Sequence, residues 1–163
     1  MTEPALVDHI VQFLREAGLT VLEEPLPANT FLPGLTIRNG ALVFDRAALR
    51  YPGDLLHEAG HLAVLPGPVR HSANAEDLNA QSHAEEAAMA WSYAAVRYLG
   101  LPADVLFHSG GYRGHAQGLV TTFSLGVYPG LPGLEAAGLT VSPRRAAALG
   151  VAPYPAMLRW LSE

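Results

Sequence analysis

Apolar residues recur along the first seventeen positions at the spacing of one helix face. In ALVDHIVQFLREAGL, Leu6, Ile10, Phe13, Leu14 and Ala17 fall three or four apart, and Gly18 supplies a C-terminal stop. The pattern predicts a helix from about Glu3 to Ala17. The period then shortens. TVLEEPLP holds one short strand before its prolines, and GLTIRNGALVFD sets two alternating apolar runs on either side of Asn39-Gly40. Asn-Gly favours the positive φ angles of a type I′ turn, so these runs predict a β-hairpin.

The helical period returns in YPGDLLHEAGHLAV, where Pro52 and Asp54 suit a helix start and Pro66-Gly67-Pro68 a stop. After the polar stretch VRHSANAEDLNAQ, SHAEEAAMAWSYAAVRYLG reads as a second long helix. Ser82 and Glu85 fit a capping box there, and Gly100 and Pro102 end it. PADVLF has room for one or two helical turns, HSGGYRGHAQG is a Gly-rich loop, and period alone does not decide LVTTFSLGV between strand and helix. The remainder reads as short helices, with Ser142-Pro143 opening one and YPAMLRWL closing the chain. The expected fold is α+β: a mainly helical domain with a small β-sheet or hairpin preceding the His-Glu-Ala-Gly-His helix.

Composition narrows this picture. A chain of 163 residues, 50% hydrophobic and 15% charged, can bury one core and is short for two, so residues 1–163 are expected as a single domain. The sequence has no run of eighteen apolar residues, and its start is acidic where a signal peptide carries basic residues. The expected location is therefore cytoplasmic, with no membrane contact. With no cysteine, any transition metal must rely on His and carboxylate ligands. All ten basic residues are arginine and the formal net charge is -5, which argues against general affinity for nucleic acid.

HEAGH carries the candidate chemistry. On a helix His57 and His61 lie four positions apart, one turn above the other, within reach of a single ion. The bland alternative is two surface histidines on an amphipathic helix. Gly60 argues against it: glycine costs a helix interior roughly 1 kcal/mol relative to Ala, a cost that makes sense if another element approaches the backbone there. A third ligand has two candidates in the following long helix. On a helical wheel Glu86 falls on the polar face near Arg97, whereas Glu85 shares the stripe of Ala88, Ser92, Val96 and Leu99. That stripe is expected to be interior, where a lone carboxylate is costly unless it is paired or coordinates a metal.

HEAGH followed by Glu85-Glu86-Ala87-Ala88-Met89-Ala90-Trp91 resembles the minimal gluzincin metallopeptidases, including the ImmA/IrrE-like proteins and, more distantly, the HtpX-type membrane proteases. The likeness covers about residues 34 to 99 and implies a zincin-like domain acting on a peptide or protein substrate. It also implies Zn²⁺ held by His57, His61 and Glu85, with Glu58 as general base. One position departs from the family pattern: Met89 stands where these families carry Asp or Asn to orient a metal-bound histidine.

Two neutral imidazoles and one carboxylate leave zinc a net positive charge and an open position, which lowers the pKa of a bound water to about 7. Glu58, about 100° around the helix from His57, can reach that water without ligating the ion. The strand Gly40 to Phe44 is a candidate for pairing with an extended peptide if it forms a sheet edge. Donors for a tetrahedral oxyanion are sought among His83, His108, Tyr112, Arg113 and His115, with His108 and Tyr112 foremost and HSGGYRGH expected as a mobile flap. His9 and His71 are expected at the surface. Rival readings are a zincin scaffold retained as a regulatory or binding module, and a purely structural metal clamp. An intact Glu58 favours catalysis over both.

Overall fold

The structure, a computed structural model, describes residues 1–78 and 82–163, apart from the side chains of Ser82 and His83. Helix α1, Glu3–Glu16, buries Val7, Ile10, Val11, Phe13 and Leu14; of the predicted face Leu6 and Ala17 are only partly buried, and Val7 and Val11 join it. Gly18, at φ +99°, turns the chain out of it. Three short strands follow: β1 (Thr20–Glu23), β2 (Leu35–Arg38) and β3 (Ala41–Phe44). Asn39 and Gly40 take φ of +48° and +75°, and Arg38 pairs with Ala41, so the hairpin forms where the Asn-Gly pair places it.

The strand order is β1-β3-β2, with β1 parallel and β2 antiparallel to β3. The condition set for peptide pairing by Gly40 to Phe44, that this strand forms a sheet edge, is not met: β3 is central. Every residue of β3 is buried, and its unbroken run Ala-Leu-Val-Phe suits a strand covered on both faces better than alternation does. Among the described residues the free edges belong to β1 and β2. Arg46, just after β3, ties the sheet to α1 by forking onto both Glu23 carboxylate oxygens, at 2.7 and 2.9 Å, and onto Asp8 at 2.9 Å.

The rest of the described chain is helical and irregular: α2 (Gly53–Ala63), α3 (Gly67–Arg70), α4 (Ala75–Leu78), α5 (Ser82–Tyr98), α6 (Ala103–Leu106), α7 (Ala116–Ser124), α8 (Leu131–Ala136) and α9 (Pro143–Leu149). The undecided LVTTFSLGV segment is helical. Helix α7 reaches back into the stretch expected as loop and buries Phe123. YPAMLRWL, in contrast, is not a helix but a run of turns and bends. Its backbone is claimed by the core: Leu158 N–H donates to Leu139 O at 2.8 Å, and the indole N–H of Trp91 donates to Trp160 O at 2.9 Å. No helix among the described residues is long and apolar enough to cross a membrane.

Helices α2 and α5 form the centre of the domain. A Cβ added to Gly60 of α2 would lie 2.6 Å from Ala88 O of α5, so only glycine permits this approach. The fully buried Ser92 hydroxyl sits between Leu56 O (2.9 Å) and Ala88 O (2.6 Å) and fixes the two helices in register. On another side of α5, Gly130 at φ +88° packs directly onto the backbone of Glu86 and Ala87. The first described turns of α5 are thus held from two directions.

Candidate metal centre

Helix α2 presents Asp54, His57, Glu58 and His61 at spacings of three and four residues, so all four share one side of it. His57 and His61 are buried, their Nε2 atoms 3.2 Å apart. Glu85, in the first turn of α5, closes the group: one carboxylate oxygen lies 3.0 Å from His57 Nε2 and the other 3.0 Å from His61 Nε2. Ligand-capable atoms of His57, Glu58 and His61 all lie within 4.8 Å of one another, a group able to hold a metal ion.

The donor geometry fits a cation. Metal–ligand bonds of about 2.0–2.1 Å at tetrahedral angles place neighbouring donors about 3.3 Å apart, close to the spacing of these three atoms. Hydrogen bonding alone satisfies them poorly. If each imidazole donates its Nε2–H to Glu85, neither has a lone pair for the other at 3.2 Å, whereas a cation draws on all three lone pairs together.

Electrostatics without an ion show how strongly the groups interact. Hydrogen bonds from His57 and His61 hold the Glu85 carboxyl well below the usual carboxylate range. Burial lowers the His57 pKa, but the hydrogen bond to Glu85 and the charges of Glu85, Glu58 and Asp54 outweigh it, and the net shift is upward. Burial pushes the Glu58 carboxyl up, while the two histidines pull the other way. A carboxyl shifted in this direction is better matched to proton transfer near neutral pH.

The helical wheel orients Glu85 towards the histidines and leaves Glu86 exposed. The expectation of a buried Glu85 is corrected: its side chain is 47% exposed, because the first turn of α5 lies at the rim of the site. Met89, one turn further along, is buried and brings a thioether where an acceptor would serve. His61 Nδ1 is buried without a hydrogen-bond partner among the described residues.

The Gly-rich segment sits beside this centre. His108 Nε2 donates to Asp54 Oδ1 at 2.7 Å, and its ring stacks on Tyr51 with centroids 3.8 Å apart. Gly110 packs flat on Tyr51, where a Cβ would collide with the ring. Tyr112 places its hydroxyl 3.5 Å from His57 Nδ1 and its ring edge-on between His57 and Phe107. Burial pushes the Tyr112 phenol well above its usual range, so it remains a neutral hydroxyl. His108 and Tyr112 anchor the segment beside the site, where a mobile flap was expected. Arg113 and His115 are exposed, as is His71, while His9 is partly buried. The His83 side chain lies outside the described residues.

Sequence reasoning gave Asp54 only a role in starting a helix. The structure makes it a buried carboxylate paired with His108, and the missed signal is its place on the His57–His61 side of α2. Tyr51 was missed too, because nothing local marks an aromatic that stacks on a residue so distant in sequence. No protein-family model matches the chain, nor does any curated protein or solved structure.

Proposed function

We propose that this protein is a zinc-dependent metallopeptidase. The observation that carries the reading is the meeting of His57, His61 and Glu85 within 3.0–3.2 Å of one another, with the Glu58 carboxylate beside them. His57 and His61 would hold the ion through Nε2 and Glu85 through its carboxylate, which leaves Glu58 unbound and available for proton transfer. When bound, zinc supplies a Lewis acid that polarises a peptide carbonyl and makes water a nucleophile near neutral pH.

The remaining steps belong to the chain's own residues. Glu58 accepts a proton as water attacks the peptide carbon and returns it to the departing amine, so the bond breaks without a free strong base. Its partial burial raises its affinity for that proton. An extended substrate can pair along a sheet edge, and with β3 in the centre of the sheet that role passes from β3 to the edge strands β1 and β2. Ion binding without Glu58 chemistry would reduce the same site to a clamp between α2 and α5.

The test has two parts. Protein purified without a histidine tag should contain close to one zinc per chain, and the His57→Ala variant far less. Incubated with a mixed peptide library, the wild-type protein should generate new amino termini that a chelator suppresses. Equal, near-zero zinc in both proteins would overturn the reading at its base.

A further inference from the structure

Every imidazole that ligates through Nε2 presents an N–H at Nδ1, and a partner for that N–H fixes both the tautomer and the angle of the ring. In this site the acceptor is not supplied from α5, where Met89 stands one turn after Glu85. His61 Nδ1 has no partner among the described residues, whereas His57 Nδ1 faces the Tyr112 hydroxyl at 3.5 Å. That hydroxyl lies at the ring nitrogen opposite the one facing Glu85.

The backbone supports a deliberate placement. Tyr112 and Arg113 are consecutive non-glycine residues at φ +58° and +51°, a conformation L-residues adopt only when their surroundings enforce it. The turn sends Arg113 to solvent while the Tyr112 ring packs between Phe107, at 5.3 Å, and His57, at 5.7 Å and nearly perpendicular. His108, anchored to Asp54, holds the start of the same segment. Strain therefore collects at the residue that carries the hydroxyl.

We propose that Tyr112 is the positioning residue of His57, taking the place of an acceptor on α5 and holding the imidazole in the orientation that faces Glu85. A hydroxyl differs from a carboxylate in one respect that matters here. It accepts from Nδ1–H when Nε2 is a ligand, and it donates to Nδ1 when Nε2–H points at Glu85, so it serves the loaded and the metal-free protein alike. Tyr112 thus guides the ring through the change of tautomer that accompanies loading. This inference rests on the metal site proposed above.

The Tyr112→Phe variant removes the hydroxyl and keeps the ring. It should fold and lose no more than a few degrees of melting temperature when metal-free, since one neutral hydrogen bond to His57 is removed, yet bind zinc roughly 10–100-fold more weakly in a chelator competition. In ¹⁵N spectra of zinc-loaded wild-type protein, His57 Nδ1–H should be visible and slow to exchange, and the variant should lose that protection. Wild-type zinc affinity together with an unchanged His57 signal in Tyr112→Phe would overturn the proposal and leave the metal site standing. Failure of the wild-type protein to bind zinc would overturn both. Should Tyr112→Phe not fold, the wild-type spectrum decides: a protected Nδ1–H in the loaded protein supports the assignment, and exchange as fast as in free imidazole rejects it.

Discussion

His108 Nε2 donates to Asp54 Oδ1 across 2.7 Å and joins the Gly-rich segment to the helix that carries both site histidines. Each is the other's partner in a largely buried pair, so removing one leaves the other's polar group stranded. Asp54→Ala and His108→Ala should each destabilise the protein in urea, with the double variant losing about 1–3 kcal/mol less than the sum. Strictly additive losses would mean that the contact contributes nothing.

The third ligand is decided by comparing neighbouring glutamates. Glu85 spans both imidazoles and Glu86 is exposed, so Glu85→Ala should lose most of its zinc and Glu86→Ala none. Metal analysis after gel filtration reads the difference. The opposite ranking would place the ion elsewhere.

Glu58 is expected to act on protons rather than on the fold. Glu58→Gln keeps the shape and removes the base, so zinc content should be unchanged while kcat falls about a hundredfold or more. A variant cleaving the identified peptide at the wild-type rate would end the general-base assignment.

Gly60→Ala sets two effects against each other. Alanine improves helix propensity by about 1 kcal/mol, but its methyl group would sit 2.6 Å from Ala88 O and force α2 and α5 apart, a strain of typically 1–3 kcal/mol. Steric strain should win because the obstacle is backbone. Urea denaturation should show net destabilisation, and zinc affinity should fall as Glu85 moves away from the histidines.

Acid sensitivity has an identifiable contributor outside the site. The hydrogen bond from Arg46 holds the Glu23 carboxyl below its usual value of 4.5. A depressed folded-state pKa means the stabilisation is complete above about pH 4.5 and disappears as the pH falls through the lower folded value. Both groups are well exposed, so solvent screening limits the pair to roughly 1 kcal/mol or less. Glu23→Gln should be slightly less stable than wild type at pH 7 and indistinguishable from it near pH 2. A gap that persists at pH 2 would assign the effect to packing.

Much of this arrangement was legible in the chain because the signals are local. Asn39-Gly40 encodes its turn through backbone preference, and the orientation of Glu85 follows from the angle between successive helical residues. Gly60 announced a close approach without naming the partner, which the structure identifies as Ala88. Distant relationships were opaque. The central place of β3 depends on β1 returning alongside it in parallel, and the Asp54–His108 pair depends on where the segment after α6 is laid down. YPAMLRWL has a helix-like pattern, but long-range backbone hydrogen bonds to Leu139 and Trp91 override it.

The two glycines that grip the start of α5 set how the chain can be diversified. A random library should be depleted of clones altered at Gly60 or Gly130, since in each case the nearest atom a Cβ would meet is a main-chain oxygen, of Ala88 and of Glu86 respectively, which cannot swing aside. Gly118 lies at the other extreme: it sits inside α7, and a Cβ there meets nothing within 4 Å, so alanine should be accepted and should firm up the helix. Variation would therefore be accepted at Gly118 while the turn carrying Glu85 stays fixed. A laboratory lineage selected for new specificity would be expected to change the walls of the site long before its ligands.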